Sequence, residues 1–227
     1  MKKKIQKILC ILPIRSGSKE IRNKNILNFN GKPLCINSLK IAEKSNLFDQ
    51  IIIATDSEKY ITLLKKYTSN KKVKFFLRSK KSSTNIAKTE IVINEVLKHN
   101  KEYDTTFLIQ VTSPFIKKED LILGLKKFNK DKLDSLFTGY ETKKFFWKEK
   151  NKKVLSLNYN FKNRPMRQEQ EKTIVENGAF YIFKNKFFSS YNNRLFRKIG
   201  SYIMPQDRSM EIDSLQDFRK AKKQLKS

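Results

Sequence analysis

The sequence predicts an α/β protein whose central sheet is mostly parallel, and three observations point to this fold class. Short apolar segments alternate along the chain with segments of helical periodicity. The apolar segments are nearly continuous runs, as expected for strands that are buried on both faces. Polar and charged residues follow directly after several of these segments, where parallel sheets bind their ligands. We therefore expect three layers, with helices on both faces of one sheet.

The predicted elements follow one another in regular alternation. The first strand covers residues 8–14. Pro33 suits the start of the helix at 34–44, because its fixed φ fits a first helical turn. The strand at 50–54 ends in Thr55-Asp56-Ser57, whose side chains can cap the helix that follows. The remaining elements are the helices 58–66, 89–97, 119–128 and 213–225 and the strands 73–77, 106–111, 135–139 and 176–182.

Length and charge limit the classes of protein to consider. The chain has 227 residues and shows no repeat or linker, so residues 1–227 are predicted to form a single domain. Its 50 Lys and Arg against 22 Asp and Glu give a net charge of +28, which favours a nucleic-acid-binding protein as one reading. However, only 9 of these cations are Arg, the residue that reads bases bidentately. We therefore favour a lysine-rich solvated surface and keep nucleic-acid binding as the alternative from a different class.

The few cysteines and histidines exclude other chemistries. Cys10 and Cys35 are the only cysteines and suit a reducing cytoplasm better than a disulfide framework. His99 is the only histidine, which argues against a histidine metal site or a Ser-His-Asp triad. Pro13 and Arg15 interrupt the first apolar run, so we expect a core strand and not a signal peptide. No run is long enough for a membrane helix, and a cytoplasmic protein without a membrane partner is predicted.

The loop after the first strand is the most informative stretch. It reads Arg15-Ser16-Gly17-Ser18-Lys19 and continues to Asn23-Lys24-Asn25. Small residues let backbone N–H groups approach a phosphate, and the flanking cations add positive charge. The loop contains neither G-x-x-x-x-G-K-[ST] nor G-x-G-x-x-G. The sequence therefore predicts a phosphate-binding loop of another kind.

This loop resembles the opening motif of the CMP-sialic acid synthetases (acylneuraminate cytidylyltransferases), R-S-G-S-K-G-[IL]-P-x-K-N. Glu20 and Arg22 stand where that motif has Gly and Pro, so we expect the loop backbone to differ locally. The resemblance implies a Rossmann-like nucleotidyltransferase that transfers CMP from CTP to a nine-carbon sugar acid and releases pyrophosphate. It implies that the triphosphate is held by Arg15, Ser16, Gly17, Ser18 and Lys24, and that the cytidine is contacted by Asn25, Arg78 and Thr89.

A pair of carboxylates near the C-terminus is the second candidate element. In an extended segment, Glu211 and Asp213 point the same way and can face one cation. Alternatively, Asp213 is the N-cap of the last helix. The surrounding residues 208–217 resemble the family segment R-S-x-D-I-D-[TS]-x-x-D, with Glu211 in place of the first inner aspartate. The resemblance implies that both carboxylates bind Mg²⁺, and that Asp213 is catalytic together with Arg15 and Lys24.

Three further segments resemble the sugar-binding parts of the family. Residues 110–114, Q-V-T-S-P, resemble L-Q-P-T-S-P, although an ordinary strand-ending turn is the alternative. This segment differs from the Q-G-D-[EQ]-P of the related enzymes for the eight-carbon acid KDO. Residues 164–168, R-P-M-R-Q, resemble R-P-x-R-Q, and 176–181 resemble N-G-A-[IF]-Y. The sugar-binding residues implied by these matches are Gln110, Arg167, Gln168 and Tyr181, with Phe196 as a further apolar wall.

Arginine suits bidentate capture of the carboxylate that this substrate class carries, which favours Arg167. Tyr181 can equally be a packed core residue. Asp56 resembles the Asp of the family's S-T-D-S, with a helix cap as its alternative.

The helix–strand alternation stops between residues 142 and 172. This stretch is aromatic and basic, and Phe145, Trp147 and Phe161 would expose apolar surface unless something covers them. In the resembled family, a segment at this place reaches across a dimer interface and completes the partner's site. We therefore expect a homodimer in which 142–172 has this role.

The sequence thus predicts a cytidylyltransferase for a nonulosonic acid of sialic, legionaminic or pseudaminic type. Transfer to KDO is the alternative within the same enzyme class. Specific binding of RNA or DNA is not expected.

Overall fold

The structure, a computed structural model, describes residues 6–17, 20–84 and 86–225. The strands in chain order are β1 (Ile8–Pro13), β2 (Asn28–Phe29), β3 (Lys32–Pro33), β4 (Gln50–Thr55), β5 (Val73–Leu77), β6 (Thr105–Ile109), β7 (Ser135–Thr142), β8 (Trp147–Lys150), β9 (Lys153–Ser156), β10 (Thr173–Lys184) and β11 (Ile199–Ile203). The helices are α1 (Leu34–Ser45), α2 (Glu58–Lys65), α3 (Lys80–Ser83), α4 (Thr89–Lys98), α5 (Lys118–Lys130), α6 (Asn185–Tyr191) and α7 (Leu215–Gln224).

The central sheet has the strand order β11-β7-β10-β6-β1-β4-β5. Strand β1 pairs in parallel with both β4 and β6, and β5 pairs in parallel with β4. Strand β10 is antiparallel to both of its neighbours, whereas β11 is parallel to β7. Six strands therefore run in one direction and one runs against them. The predicted mostly parallel α/β sheet is confirmed.

Two apolar clusters cover the two faces of this sheet. One lies under α1 and α5 and includes Cys10 and Cys35, both buried free thiols. The other lies under α4 and α6 and includes Leu9, Leu108 and Tyr181. Alternate residues of β1 face opposite clusters, which explains why its sequence is apolar without interruption.

A third, smaller cluster ties the ends of the chain together. Ile21, from the segment after β1, packs in it with Ile212 and with Ala221 of α7. The hairpin β2–β3 and the start of α1 add Phe29 and Leu34. Because these side chains are fully or almost fully buried, they hold the N-terminal loop and the C-terminal carboxylate segment at a fixed spacing.

The observed helix caps show that neither Asp56 nor Asp213, each of which had a helix cap as one predicted role, caps a helix through its side chain. Ser57, not Asp56, caps α2, since its side chain accepts a hydrogen bond from the Tyr60 N–H. At α7, Ser214 and Asp217 form a reciprocal capping box. The last helix therefore begins at Leu215, two residues later than predicted, and the carboxylate of Asp213 is not its cap.

The structure contains several elements that the sequence did not predict. The hairpins β2–β3 and β8–β9, the helix α6 and the edge strand β11 are too short or too polar to give a clear periodicity. Hairpin β8–β9 lies within the aromatic segment 142–172. Across the described residues, no helix combines the length and apolar character needed to cross a membrane.

Candidate active site

A cleft of about 220 Å³ opens at the carboxyl ends of β1 and β6. Seven of the predicted nucleotide- or sugar-binding residues line it, namely Arg15, Gly17, Lys24, Asn25, Arg78, Thr89 and Gln110. Ala87, Val92, Val111 and Thr112 complete its walls together with Pro13. Ser18 lies outside the described residues. The fold therefore brings together predicted site residues that are up to 95 positions apart, from Arg15 to Gln110.

Asp56 and Asn25 hold the loop after β1 in place. The Ser16 amide donates to Asp56 Oδ1 (2.7 Å), and the Ser16 hydroxyl donates to Oδ2 (3.0 Å). The Asn25 side chain donates to the Arg15 carbonyl oxygen (2.8 Å). Asn23 adopts a φ of 56° and accepts a hydrogen bond from the Tyr60 hydroxyl. The predicted Ser16 thus supports the loop, and its side chain is not free to donate to a phosphate while it binds Asp56.

Lys24 connects this loop with the carboxylate segment. Its ammonium group donates to the Ile212 carbonyl oxygen (2.8 Å) and to Asp213 Oδ1 (3.0 Å). Ile212 is held from its other side, because its N–H donates to the Thr112 carbonyl oxygen (2.9 Å). Asp213 remains 61% exposed, so its second oxygen is open to solvent or a ligand. Three motifs that are distant in the sequence therefore meet at Ile212.

Glu211 is half-buried beside Gly178 and Gln110. Thr112 Oγ1 donates to Glu211 Oε1 (3.2 Å). Gly178 has a φ of 64°, and a Cβ at this position would lie 3.2 Å from Glu211 Oε2 and 3.5 Å from the Gln110 amide. The positive φ therefore favours glycine, and a Cβ at this position would also press on the Glu211 side chain. Burial, and next the charge of Asp213, raise the pKa of Glu211.

The carboxylate pair fits a hard divalent cation. Two carboxylates with electrostatic repulsion between them would each be stabilised by a shared cation. No cluster of three or more His, Cys, Asp or Glu residues with metal-binding geometry occurs in the described parts of the chain. Mg²⁺ commonly uses only one or two carboxylates, together with substrate phosphates and water. Glu211 and Asp213 therefore have the chemistry to hold such an ion beside a nucleotide.

Comparison with known proteins decides the family. The family model described as cytidylyltransferase matches residues 9–226, which is nearly the whole chain. The chain belongs to the cytidylyltransferase family. A pseudaminic acid cytidylyltransferase of Campylobacter jejuni is 30% identical over 226 residues, covering 95% of both chains. An N-acylneuraminate cytidylyltransferase of Escherichia coli is also 30% identical, but the match covers only 51% of that protein.

Solved structures confirm the nucleotidyltransferase fold of this cytidylyltransferase. A 4-diphosphocytidyl-2C-methyl-D-erythritol synthase from Anaerococcus prevotii superposes with a TM-score of 0.72 and 16% identity, covering 98% of this chain and 97% of that one. A CMP:2-keto-3-deoxy-manno-octonic acid synthetase complexed with CTP gives a TM-score of 0.71 and 14% identity, over 97% and 99% of the two chains. At these identities the likeness establishes the fold alone.

Tyr181 and Phe196 of the cytidylyltransferase do not line the cleft. Tyr181 is buried on β10, its hydroxyl donates to Glu176, and Arg194 lies over its ring with 4.8 Å to the centroid. Phe196 is buried against Phe183 and the stacked ring of Tyr191. Both rings belong to the apolar cluster under α4 and α6, where large aromatic side chains bury much apolar area.

Arg167 and Gln168 are exposed and do not line the cleft of their own chain. They lie between the hairpin β8–β9 and β10, in the segment 142–172. The preceding Arg164 stacks on Phe145, with its guanidinium carbon 4.3 Å from the ring centroid. The Gln168 carbonyl oxygen accepts from Lys143. Any contact of these two side chains with a ligand in the cleft therefore needs a second chain or a movement of this segment.

Three positions that sequence reasoning left without a role support the site. Thr112 holds Glu211 through its hydroxyl and Ile212 through its carbonyl oxygen. The Asn177 amide donates to Ser209 Oγ (2.9 Å), which links β10 to the carboxylate segment. Thr112, Asn177 and Ser209 each lie within one of the motifs described above, so the sequence indicated their proximity to the site. The sequence did not indicate the direction of their side chains, which determines what each residue holds.

Proposed function

We propose that this cytidylyltransferase transfers CMP from CTP to the anomeric hydroxyl of a nonulosonic acid and releases pyrophosphate. The observation that supports the proposal is the junction of Lys24 with Ile212 and Asp213, which connects a cation of the cleft lining to the carboxylate segment beside the cleft. The similarity to pseudaminic acid cytidylyltransferase over 95% of both chains supports a sugar acid of that type as the first to test.

The cleft supports a nucleotide with its phosphates at the loop after β1. Gly17 is exposed and lets a phosphate approach its backbone closely, while Arg15 and Lys24 supply charge. We place the cytidine between Asn25, Arg78 and Thr89. Burial lowers the pKa of Arg78, and its Nε has no hydrogen-bond partner among the described residues. A buried donor without a partner is costly, and an acceptor oxygen of the nucleotide would satisfy it.

The chemistry requires an in-line attack on the α-phosphorus. The hydroxyl oxygen on the anomeric carbon forms the new P–O bond as the bond to pyrophosphate breaks. Negative charge grows on the non-bridging oxygens, where Arg15 and Lys24 stabilise it electrostatically. Glu211 and Asp213 would hold Mg²⁺, which neutralises phosphate charge and favours ionisation of the attacking hydroxyl when bound. The described cleft offers no histidine as a base, so we assign the proton to solvent or phosphate.

The sugar acid would lie beside Gln110, next to the carboxylate pair. The backbone of Gln110 is fixed there because its main-chain N–H donates to the Ala179 carbonyl oxygen (3.0 Å). Tyr181 and Phe196 are buried and are not part of the lining of this cleft. Arg167 and Gln168 are proposed to reach the sugar acid of a partner chain.

A homodimer would explain the exposed apolar surface of the segment 142–172. Trp147, Val154, Leu155, Leu157 and Phe161 are all at least 45% exposed. An apolar patch of this kind marks an interaction surface. A second copy of this chain covering the surface would also bring Arg167 to the cleft of its partner.

We further propose that the protein acts in the cytoplasm, where CTP is available.

The test is pyrophosphate release from CTP with Mg²⁺ and purified chain, using pseudaminic, legionaminic and N-acetylneuraminic acids and KDO in parallel. We expect release with at least one nine-carbon acid and little with KDO. Release with KDO alone would replace the proposal with the eight-carbon alternative. No release with any acid, from protein that binds CTP, would overturn it.

A further inference from the structure

Arg78 reaches the cleft from the end of β5, and a network behind it determines how it is held. Its backbone N–H donates to the Thr55 carbonyl oxygen (2.8 Å), which continues the β4–β5 ladder. Its guanidinium donates to the Ser82 carbonyl oxygen through Nη2. The Nε is buried and has no partner in the described part of the chain. The Nη2 side of the guanidinium is therefore fixed by protein, while Arg78 as a residue lines the cleft.

The short helix α3 that carries Ser82 is itself fastened to α4 by Glu95. Ser82 Oγ donates to Glu95 Oε2 (2.6 Å), and Ser79 Oγ donates to Glu95 Oε1. The Ser79 side chain also caps α3 by accepting from the Ser82 N–H (3.3 Å). Both carboxylate oxygens of Glu95 are thus used to hold the turn whose carbonyl oxygen binds Arg78.

The electrostatics of the network agree with its geometry. Burial lowers the pKa of Arg78, and the negative charges of Asp56 and Glu95 oppose this effect. Although burial would raise the pKa of Glu95, the hydrogen bonds from Ser79 and Ser82 and the charge of Arg78 lower it. Glu95 therefore supplies a negative charge near Arg78, while its carboxylate oxygens accept hydrogen bonds from Ser79 and Ser82.

We propose that Glu95 is a positioning residue for nucleotide binding: through Ser79 and Ser82 it fixes the turn that orients Arg78 in the cleft. Glu95 is not among the residues that line the cleft. The inference rests on the proposed role of Arg78 in binding cytidine, and it adds residues that no motif assigned.

Calorimetric titration of CTP without sugar acid tests the inference. The variants are Glu95→Gln, Arg78→Met and the double variant. Glu90→Gln is the matched control, because Glu90 lies on the same helix and its carboxylate binds Arg194 (2.8 Å) and not the turn that holds Arg78. Ser82→Ala gives a milder second probe, since it removes one hydrogen bond from a small buried side chain.

We expect Glu95→Gln to raise the Kd for CTP about tenfold, as for other coupled neighbours in one network. Glu90→Gln should leave the Kd unchanged. In the Arg78→Met background, Glu95→Gln should have no further effect, because its influence passes through Arg78. Equal weakening in both backgrounds, or an unchanged Kd in Glu95→Gln, would overturn the inference. Absence of CTP binding by the wild-type chain would instead refute the proposed function.

Discussion

The Lys24 ammonium lies 3.0 Å from Asp213 Oδ1, although the two residues are 189 positions apart in the sequence. The same nitrogen donates to the Ile212 carbonyl oxygen at 2.8 Å. The side chain of Lys24 is only 13% exposed, whereas that of Asp213 is 61% exposed. Lys24 is therefore a fixed cation, and Asp213 keeps one oxygen available. This pair lies where the loop after β1 meets the carboxylate segment.

Replacement of Lys24 should impair both nucleotide binding and turnover. We expect Lys24→Met to lower kcat/KM for CTP by about 10²–10³-fold, since it removes a preorganised cation from the phosphates. Lys32→Met is the control, because Lys32 is exposed on β3 and outside the cleft. Steady-state pyrophosphate release measures both variants. A loss of less than about threefold, the spread typical of unrelated surface changes, would show that Lys24 only holds the fold.

Asp213→Asn should abolish turnover while leaving the protein folded. The substitution keeps the size of the side chain but removes the charge that a metal would need. Because Asp213 is largely exposed, its ion pair with Lys24 contributes about 1 kcal/mol or less to stability. Activity and urea unfolding are measured together, with the exposed Asp207→Asn as control. Near-normal turnover in Asp213→Asn would remove its proposed role.

Glu211→Gln should abolish turnover but make the folded protein more stable at high pH. The pKa of Glu211 is raised in the folded state, so the folded chain binds a proton more tightly than the unfolded chain does. Stability is therefore lost as the pH rises from the unfolded-state pKa through the raised folded-state pKa. Glutamine can still accept the hydrogen bond from Thr112, but it carries no charge to bury.

Urea unfolding of metal-free protein at about pH 4 and about pH 8 measures this difference, since the first value lies just below the ordinary pKa of a glutamate and the second lies well above it. The variant should unfold at higher urea than wild type at the higher pH, and the gap should narrow at the lower pH. Turnover should be lost. Parallel stability curves for the two proteins would contradict the raised pKa.

Mixing two inactive variants tests whether Arg167 acts across a dimer. Asp213→Asn damages the cleft of its own chain, and Arg167→Ala would damage the cleft of the partner. A mixed dimer then has one intact cleft of two. Equal mixing should restore about a quarter of wild-type activity, because about half of the dimers are mixed. No recovery after verified subunit exchange would place Arg167 in its own cleft or remove it from the site.

The sequence predicted the positions of most strands and helices because the apolar periodicity of a parallel sheet is strong. Strand β5 was predicted with its observed ends, and α1 and α4 within one residue. The hairpin β8–β9 was not predicted, since its side chains are exposed and leave no alternation to read. Hydrophobic periodicity in a sequence indicates which side chains are buried, and this hairpin buries few.

For the candidate site, motif order predicted which residues meet, but not which way their side chains turn. Gln110, at the end of β6, reaches the cleft as expected. Tyr181 lies close by in the sheet yet turns into the core, because its ring fills space under α4 and its hydroxyl reaches Glu176. Asp56 was ambiguous between a cap and a site residue. Ser57 takes the cap, which frees Asp56 to hold Ser16.

The most direct test of the account is the identity of the product. Wild-type chain is incubated with CTP, Mg²⁺ and pseudaminic acid, and the products are analysed by mass spectrometry and ³¹P NMR. The account predicts one phosphodiester that joins CMP to the anomeric carbon, formed in equal amount with pyrophosphate, and none with Asp213→Asn. Hydrolysis of CTP without a CMP-linked sugar, across the nine-carbon acids and KDO, would contradict it.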